Sequence, residues 1–141
     1  MIEAVKKTFA ETYEDLDVYR RSFSLALIIH RKTLDFPKIE QYALADQLRR
    51  ASKAVPANIA EGFGRQRNSR KEFARFAMIA ASSSDETQVW LKFARELGYL
   101  TESEFAQWLD EARILSRMLQ SLYTNRLSSH NRSLTSDANA R

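Results

Sequence analysis

The chain has 141 residues, a formal net charge of +4 from 22 Lys and Arg against 18 Asp and Glu, and no cysteine. That length suits one domain with a sizeable core, and the missing cysteine excludes disulfides and thiolate metal sites. The opening MIEAVKKTFAETYEDLDV has no apolar stretch of signal-peptide length, and LALII, the longest aliphatic run of the first helix, is bounded by Ser24 and His30, so a cytoplasmic location is expected.

The positive charge is local. Residues 41 to 75 carry eight basic and three acidic side chains, whereas residues 1 to 40 balance at seven each. Such a field suits an anionic partner, and a solvated basic face is the bland alternative.

Residues 1–14 show no clean period and read as an N-terminal extension. The four-helix domain is expected over 15–127, and the polar, aperiodic 128–141 as a disordered tail. In the first helix, Leu16, Tyr19, Phe23, Ala26, His30 and Leu34 recur at steps of three and four and predict a core stripe. Leu25, Leu27, Ile28 and Ile29 widen it, so burial on more than one side is expected. Asp15 or Asp17 can cap this helix, and Phe36-Pro37 stops it.

A second helix is expected from just after Pro37 to about Ala60, with Leu44, Leu48, Ala51, Val55 and Ile59 on its core line. Arg49, Arg50 and Lys53 project roughly opposite. Pro56 lies inside the pattern and either curves the helix or places Asn58 and Glu61 at a site. Gly62 is placed as the left-handed cap that ends the helix. Ser69-x-x-Glu72 then reads as a capping box, with Arg65, Arg67, Arg70, Lys71 and Arg75 crowded around it. Cations at a helix start oppose its dipole, and an anion bound across the turn would reverse that penalty.

The third helix, about Arg70 to Leu97, has the stripe Phe73, Ala77, Ala80, Ser84, Thr87, Leu91 and Ala94, whose small members admit a close neighbour. Phe76, Met78, Ile79, Val89, Trp90 and Phe93 spread apolar surface around the rest of the circumference. They form the expected oligomer interface. Gly98 ends this helix, and Thr101-x-x-Glu104 caps a fourth that holds Phe105, Trp108, Ala112, Leu115, Leu119 and Leu122 in period to about Leu127. Four such segments with short connections predict an all-α, antiparallel up-down four-helix bundle.

Leu16-Asp17-Val18-Tyr19, Gln47-Leu48-Arg49-Arg50-Ala51, Val55-Pro56-Ala57-Asn58-Ile59-Ala60-Glu61-Gly62, Phe73-Ala74-Arg75-Phe76 and Leu97-Gly98-Tyr99-Leu100 resemble the four-helix bundle proteins encoded in intervening sequences of large-subunit ribosomal RNA genes. The resemblance spans about residues 14 to 125. It implies a ring-like homo-oligomer, with five copies preferred. It also implies a fold similar to the accessory variability protein of diversity-generating retroelements, a basic pentamer that binds a reverse transcriptase and nucleic acid. The chain departs from the family pattern in the third helix, where Ala81-Ser82-Ser83-Ser84-Asp85-Glu86 replaces a glycine-serine-x-x-glutamate run.

No catalytic constellation is legible. His30 and His130 lie in the first helix and the tail, Gly62-Phe63-Gly64-Arg65 follows a helix and lacks the ending of a phosphate loop, and the adjacent pairs Asp85-Glu86 and Asp110-Glu111 diverge on their helices. No enzyme, cofactor or metal is expected. The expected function is an oligomer that binds nucleic acid, RNA before DNA, through Arg49, Arg50, Lys53, Arg65, Arg67, Arg70, Lys71 and Arg75, with little sequence preference. The alternative is a scaffold that recruits a partner protein.

Overall fold

Sequence punctuation and core period become four helices in the computed structural model, which describes the backbone of residues 10–139 and the side chains of residues 10–125. They are α1 (Asp17–Thr33), α2 (Leu44–Arg65), α3 (Arg70–Glu96) and α4 (Glu102–Asn139). Short 3-10 turns lie at Tyr13–Asp15 and Lys38–Glu40, and no strand occurs among the described residues. Most of the N-terminal extension, residues 1–9, lies outside them, as do the last two residues of the tail.

The cores of α2 and α3 follow their predicted stripes. Leu44, Leu48, Ala51, Val55 and Ile59 are buried on α2, as are Phe73, Ala77, Ala80, Ser84, Thr87, Leu91 and Ala94 on α3. The small residues of α3 meet α4: the Ser84 hydroxyl donates to the Ala112 carbonyl at 2.8 Å, and Ser116 donates to Asp85 at 2.8 Å. Bonding a buried hydroxyl to a backbone carbonyl removes its desolvation cost and pins the register of the two helices. Helix α3 packs most extensively on α4 and α2, while α1 leans on α2 and only lightly on α4. Two ion pairs tie α1 to α4, a bidentate Arg21–Glu111 contact at 2.8 and 3.0 Å and Lys32–Glu104 at 3.1 Å.

Several expected details are corrected. The buried face of α1 is Val18, Ser22, Leu25, Ala26, Ile29 and Thr33, so the stripe lies about one residue round from the predicted one. Helix α1 is also not buried on more than one side: Phe23, Leu27, Ile28 and Leu34 are exposed. Neither aspartate caps α1, whose N-cap is Leu16 without a side-chain bond, and Asp15 instead accepts the Glu11 and Thr12 amides at 2.9 and 3.1 Å. Helix α2 starts at Leu44 rather than after Pro37 because Gln41 donates to the Thr33 and Phe36 carbonyls and fixes a tight connection.

At its other end, α2 passes through Gly62 to Arg65. Gly62 is helical and not left-handed, since among the described residues only Gly98 has positive φ, at 80°. The helical backbone of α4 likewise continues beyond Leu127 to Asn139, across the segment expected to be disordered. Residues 128–139 contain neither glycine nor proline to stop it.

Candidate nucleic-acid interface at the α2–α3 turn

The basic turn is set by a close helix crossing. A Cβ built at Gly62 would stand 2.6 Å from the Phe76 Cβ and 3.0 Å from Phe73 Cδ2, so only glycine lets α2 approach α3 this closely. Beyond Arg65 the chain reverses: the amides of Asn68 and Ser69 both donate to the Arg65 carbonyl, at 3.1 and 3.0 Å. Ser69 then caps α3 by accepting the Glu72 amide at 3.2 Å. The Glu72 carboxylate pairs with Arg75 at 3.1 Å. That bond is the main reason its pKa lies below the usual carboxylate range.

Two arginines are held in place here. The Arg65 and Arg75 guanidiniums lie 5.1 and 4.8 Å from the centroid of the Phe76 ring. Each also has a carboxylate, Glu61 at 3.3 Å for Arg65 and Glu72 for Arg75. Stacking on an aromatic face with a carboxylate partner orients a guanidinium without hiding it, and both residues remain exposed. Arg67, Arg70 and Lys71 are exposed as well and form no ion pair among the described residues. Arg70 and Lys71 occupy the first turn of α3, where the dipole disfavours them. The turn thus presents five cations against Glu61 and Glu72.

The other predicted cations lie elsewhere. Arg49 is half-buried and donates to Thr33 Oγ1 and Gln41 Oε1, both at 3.2 Å, and to the Gln41 carbonyl at 2.7 Å. It is a structural clasp on the α1–α2 connection, with three of its five N–H donors committed there, and it lies apart from the basic turn. Arg50 is exposed beside Asp46 at 3.7 Å. Lys53 lines a groove between α1 and α2 and is not part of the turn.

The expected oligomer interface divides. Phe76 is only 6% exposed and belongs to the interior, so it leaves that set. Met78 is half-buried and receives Gln120 Nε2 at 3.8 Å. Ile79, Val89 and Phe93 are exposed, and half-buried Trp90 stacks on Phe93 with centroids 5.9 Å apart beside Ala43, Leu44 and Leu97. Sequence reasoning missed the exposed Ile39 and Tyr42, and it assigned Phe23, Leu27 and Ile28 to the inside.

The α1–α2 groove, of about 470 Å³, is where the predicted α1 stripe goes. Tyr19, Phe23, Ala26 and His30 face Pro56, Ala57 and Ala60 of α2 across it. Pro56 is itself buried inside an unbroken helix. Asn58 donates to the Ala54 carbonyl at 2.8 Å, and Glu61 holds Arg65. No group of acidic or histidine side chains suited to a metal ion occurs among the described residues. No helix among them is long and apolar enough to cross a membrane.

Residues 14–121 match the model of a family described as 23S rRNA-intervening sequence protein. No curated protein matches the sequence. Among solved structures, a protein of unknown function from the S23 ribosomal protein family of Bacteroides thetaiotaomicron is similar in fold. It has 22% identity, a TM-score of 0.66, and coverage of 75% of this chain and 97% of that one.

Proposed function

The chain belongs to the 23S rRNA-intervening sequence protein family, and from that premise we propose that it is a non-enzymatic antiparallel four-helix bundle that associates into a ring-like homo-oligomer and binds RNA. The observation that carries the binding is the α2–α3 turn, where Arg67, Arg70 and Lys71 are exposed and form no ion pair among the described residues, between two arginines fixed over Phe76. Backbone phosphates fit this arrangement, whereas base reading does not: Phe76, the ring beneath the arginines, is buried and offers no platform to a base. In an oligomer the turn recurs once per subunit. A polyanion that spans several turns then gains affinity by effective concentration, without a sequence-specific contact.

A salt titration of RNA affinity tests this reading. Wild type is expected to lose affinity steeply as salt rises, and Arg67→Ala/Arg70→Ala/Lys71→Ala to show a log–log slope shallower by about 2 to 3, from the loss of roughly 0.7 to 0.9 per phosphate contact. Equal slopes, or no binding at low salt, would sink it. Light scattering at micromolar concentration checks the association, with a mass several times 16.3 kDa expected.

A second reading, a scaffold for a partner protein, is favoured by the exposed apolar residues Phe23, Ile28, Ile39, Tyr42 and Phe93. It predicts association without the salt-dependent RNA affinity.

A further inference from the structure

The α1–α2 groove differs chemically from a bare apolar face. Its walls are Tyr19, Phe23, Pro56 and Ala57, and His30 and Lys53 also line it, with no Asp or Glu among the lining residues. Its size falls within the range of small-molecule pockets, which are mostly apolar with a few placed polar groups. The aromatic wall is built rather than incidental: Tyr13 and Tyr19 pack edge to face at 4.8 Å, and Tyr19 and Phe23 rings lie 6.0 Å apart.

His30 adds a directional feature. Its Nδ1 is buried without a hydrogen-bond partner. An orphaned buried N–H is costlier than an orphaned lone pair, so the neutral ring carries its hydrogen on Nε2. Neutrality follows from the surroundings: burial first, then the charges of Lys53, Arg49 and Arg31, hold His30 below the ordinary histidine pKa. His30 Nε2 makes no hydrogen bond among the described residues, and it is the donor left for a ligand. Lys53 is thus the cation in the lining of an apolar groove that supplies no anion of its own, while Arg49 and Arg31 act on His30 from outside that lining.

We propose that this groove is a binding site for a small organic carboxylate with an apolar body, which lies along Tyr19, Phe23, Pro56 and Ala57 while its head group accepts from Lys53 and His30. Charge complementarity selects an anion over a neutral ligand of the same shape, and the apolar wall selects a hydrocarbon body over inorganic phosphate. The site uses none of the residues of the basic turn, so it stands independently of RNA binding.

Calorimetric titration of the full chain with decanoate below its micellar concentration, and with decan-1-ol as the neutral counterpart, tests the proposal. The wild type is expected to bind decanoate saturably at one site per chain and more tightly than decan-1-ol. Lys53→Met should weaken decanoate about tenfold, the weight of one charge-assisted hydrogen bond, and leave decan-1-ol unchanged, while Lys53→Arg restores the preference. Ala57→Trp, made at an exposed helix position, should fill the groove and remove both ligands. Circular dichroism reports whether that variant folds, and the Lys53 series decides the matter if it does not. The proposal is overturned by no saturable decanoate binding, by equal affinity for the two ligands, or by a Lys53→Met variant that binds decanoate like wild type. A fall in light-scattering mass as decanoate binds also overturns it, because the groove would then belong to a second copy of the chain.

Discussion

At position 62 the absence of a single methyl group sets how near two helices come. Gly62→Ala places a carbon 2.6 Å from the Phe76 Cβ, an atom fixed next to the α3 backbone, so the helices must separate. The gain in helix propensity, about 1 kcal/mol, is smaller than the cost of forcing the crossing apart, and a net loss of about 1 to 2 kcal/mol in urea unfolding is expected. Gly64→Ala meets nothing within 4 Å and should instead be neutral or stabilising by up to about 1 kcal/mol. A Gly62→Ala variant as stable as wild type would show that the crossing has slack. The two glycines are indistinguishable in sequence, because propensity describes one helix and the clash belongs to a second. Arg49 was misplaced for the same reason: its spacing puts it opposite the core of α2, but Gln41 folds back over it.

Among the elements, the start of α4 is the clearest case of local sequence setting local structure. Thr101 Oγ1 accepts the Glu104 amide at 3.0 Å, and Glu104 accepts the Thr101 amide at 2.9 Å. Glu104 also holds Lys32, in the last turn of α1. The Thr101 amide first, and Lys32 with it, keep the Glu104 carboxyl below its ordinary pKa despite partial burial. A depressed folded-state value means that the stabilisation is complete above the ordinary carboxylate range and fades as pH falls through the folded value. Glu104→Gln keeps the cap's shape but loses the charge, so it should cost about 0.5 to 1 kcal/mol at neutral pH after solvent screening. The difference between variant and wild type should shrink once pH drops below the ordinary carboxylate range and vanish below the depressed folded-state value. Parallel pH–stability curves measured by thermal unfolding would contradict this. Periodicity was less informative for α1, where two stripes one residue apart both step by three and four. The winning stripe is the one that carries Ser22 and Thr33, polar residues whose hydroxyls donate to the Tyr19 and His30 carbonyls and are thereby buried without penalty.

For the whole molecule, the count of helices and the position of most turns were legible, because proline, glycine and capping residues punctuate a chain whose core stripes are long. The candidate site was legible only in part. Residues Arg65 to Arg75 lie close in sequence and stay together in space, whereas Arg49 and Lys53 required knowledge of what α1 covers. The division of apolar surface between interior and exterior was the least legible feature, as Phe76 inside and Phe23 outside show. The uneven packing of the four helices has a dynamic consequence. Helix α3 is gripped from two sides by α2 and α4, and α1 is attached chiefly along α2. Opening α1 alone exposes less surface than opening any partner of α3, so the chain is expected to unfold in steps with α1 as its least protected cooperative unit. Native-state amide hydrogen exchange should find the α1 amides exchanging through a subglobal opening while those of α3 wait for global unfolding, and a bound occupant of the α1–α2 groove should slow exchange in α1 before anywhere else.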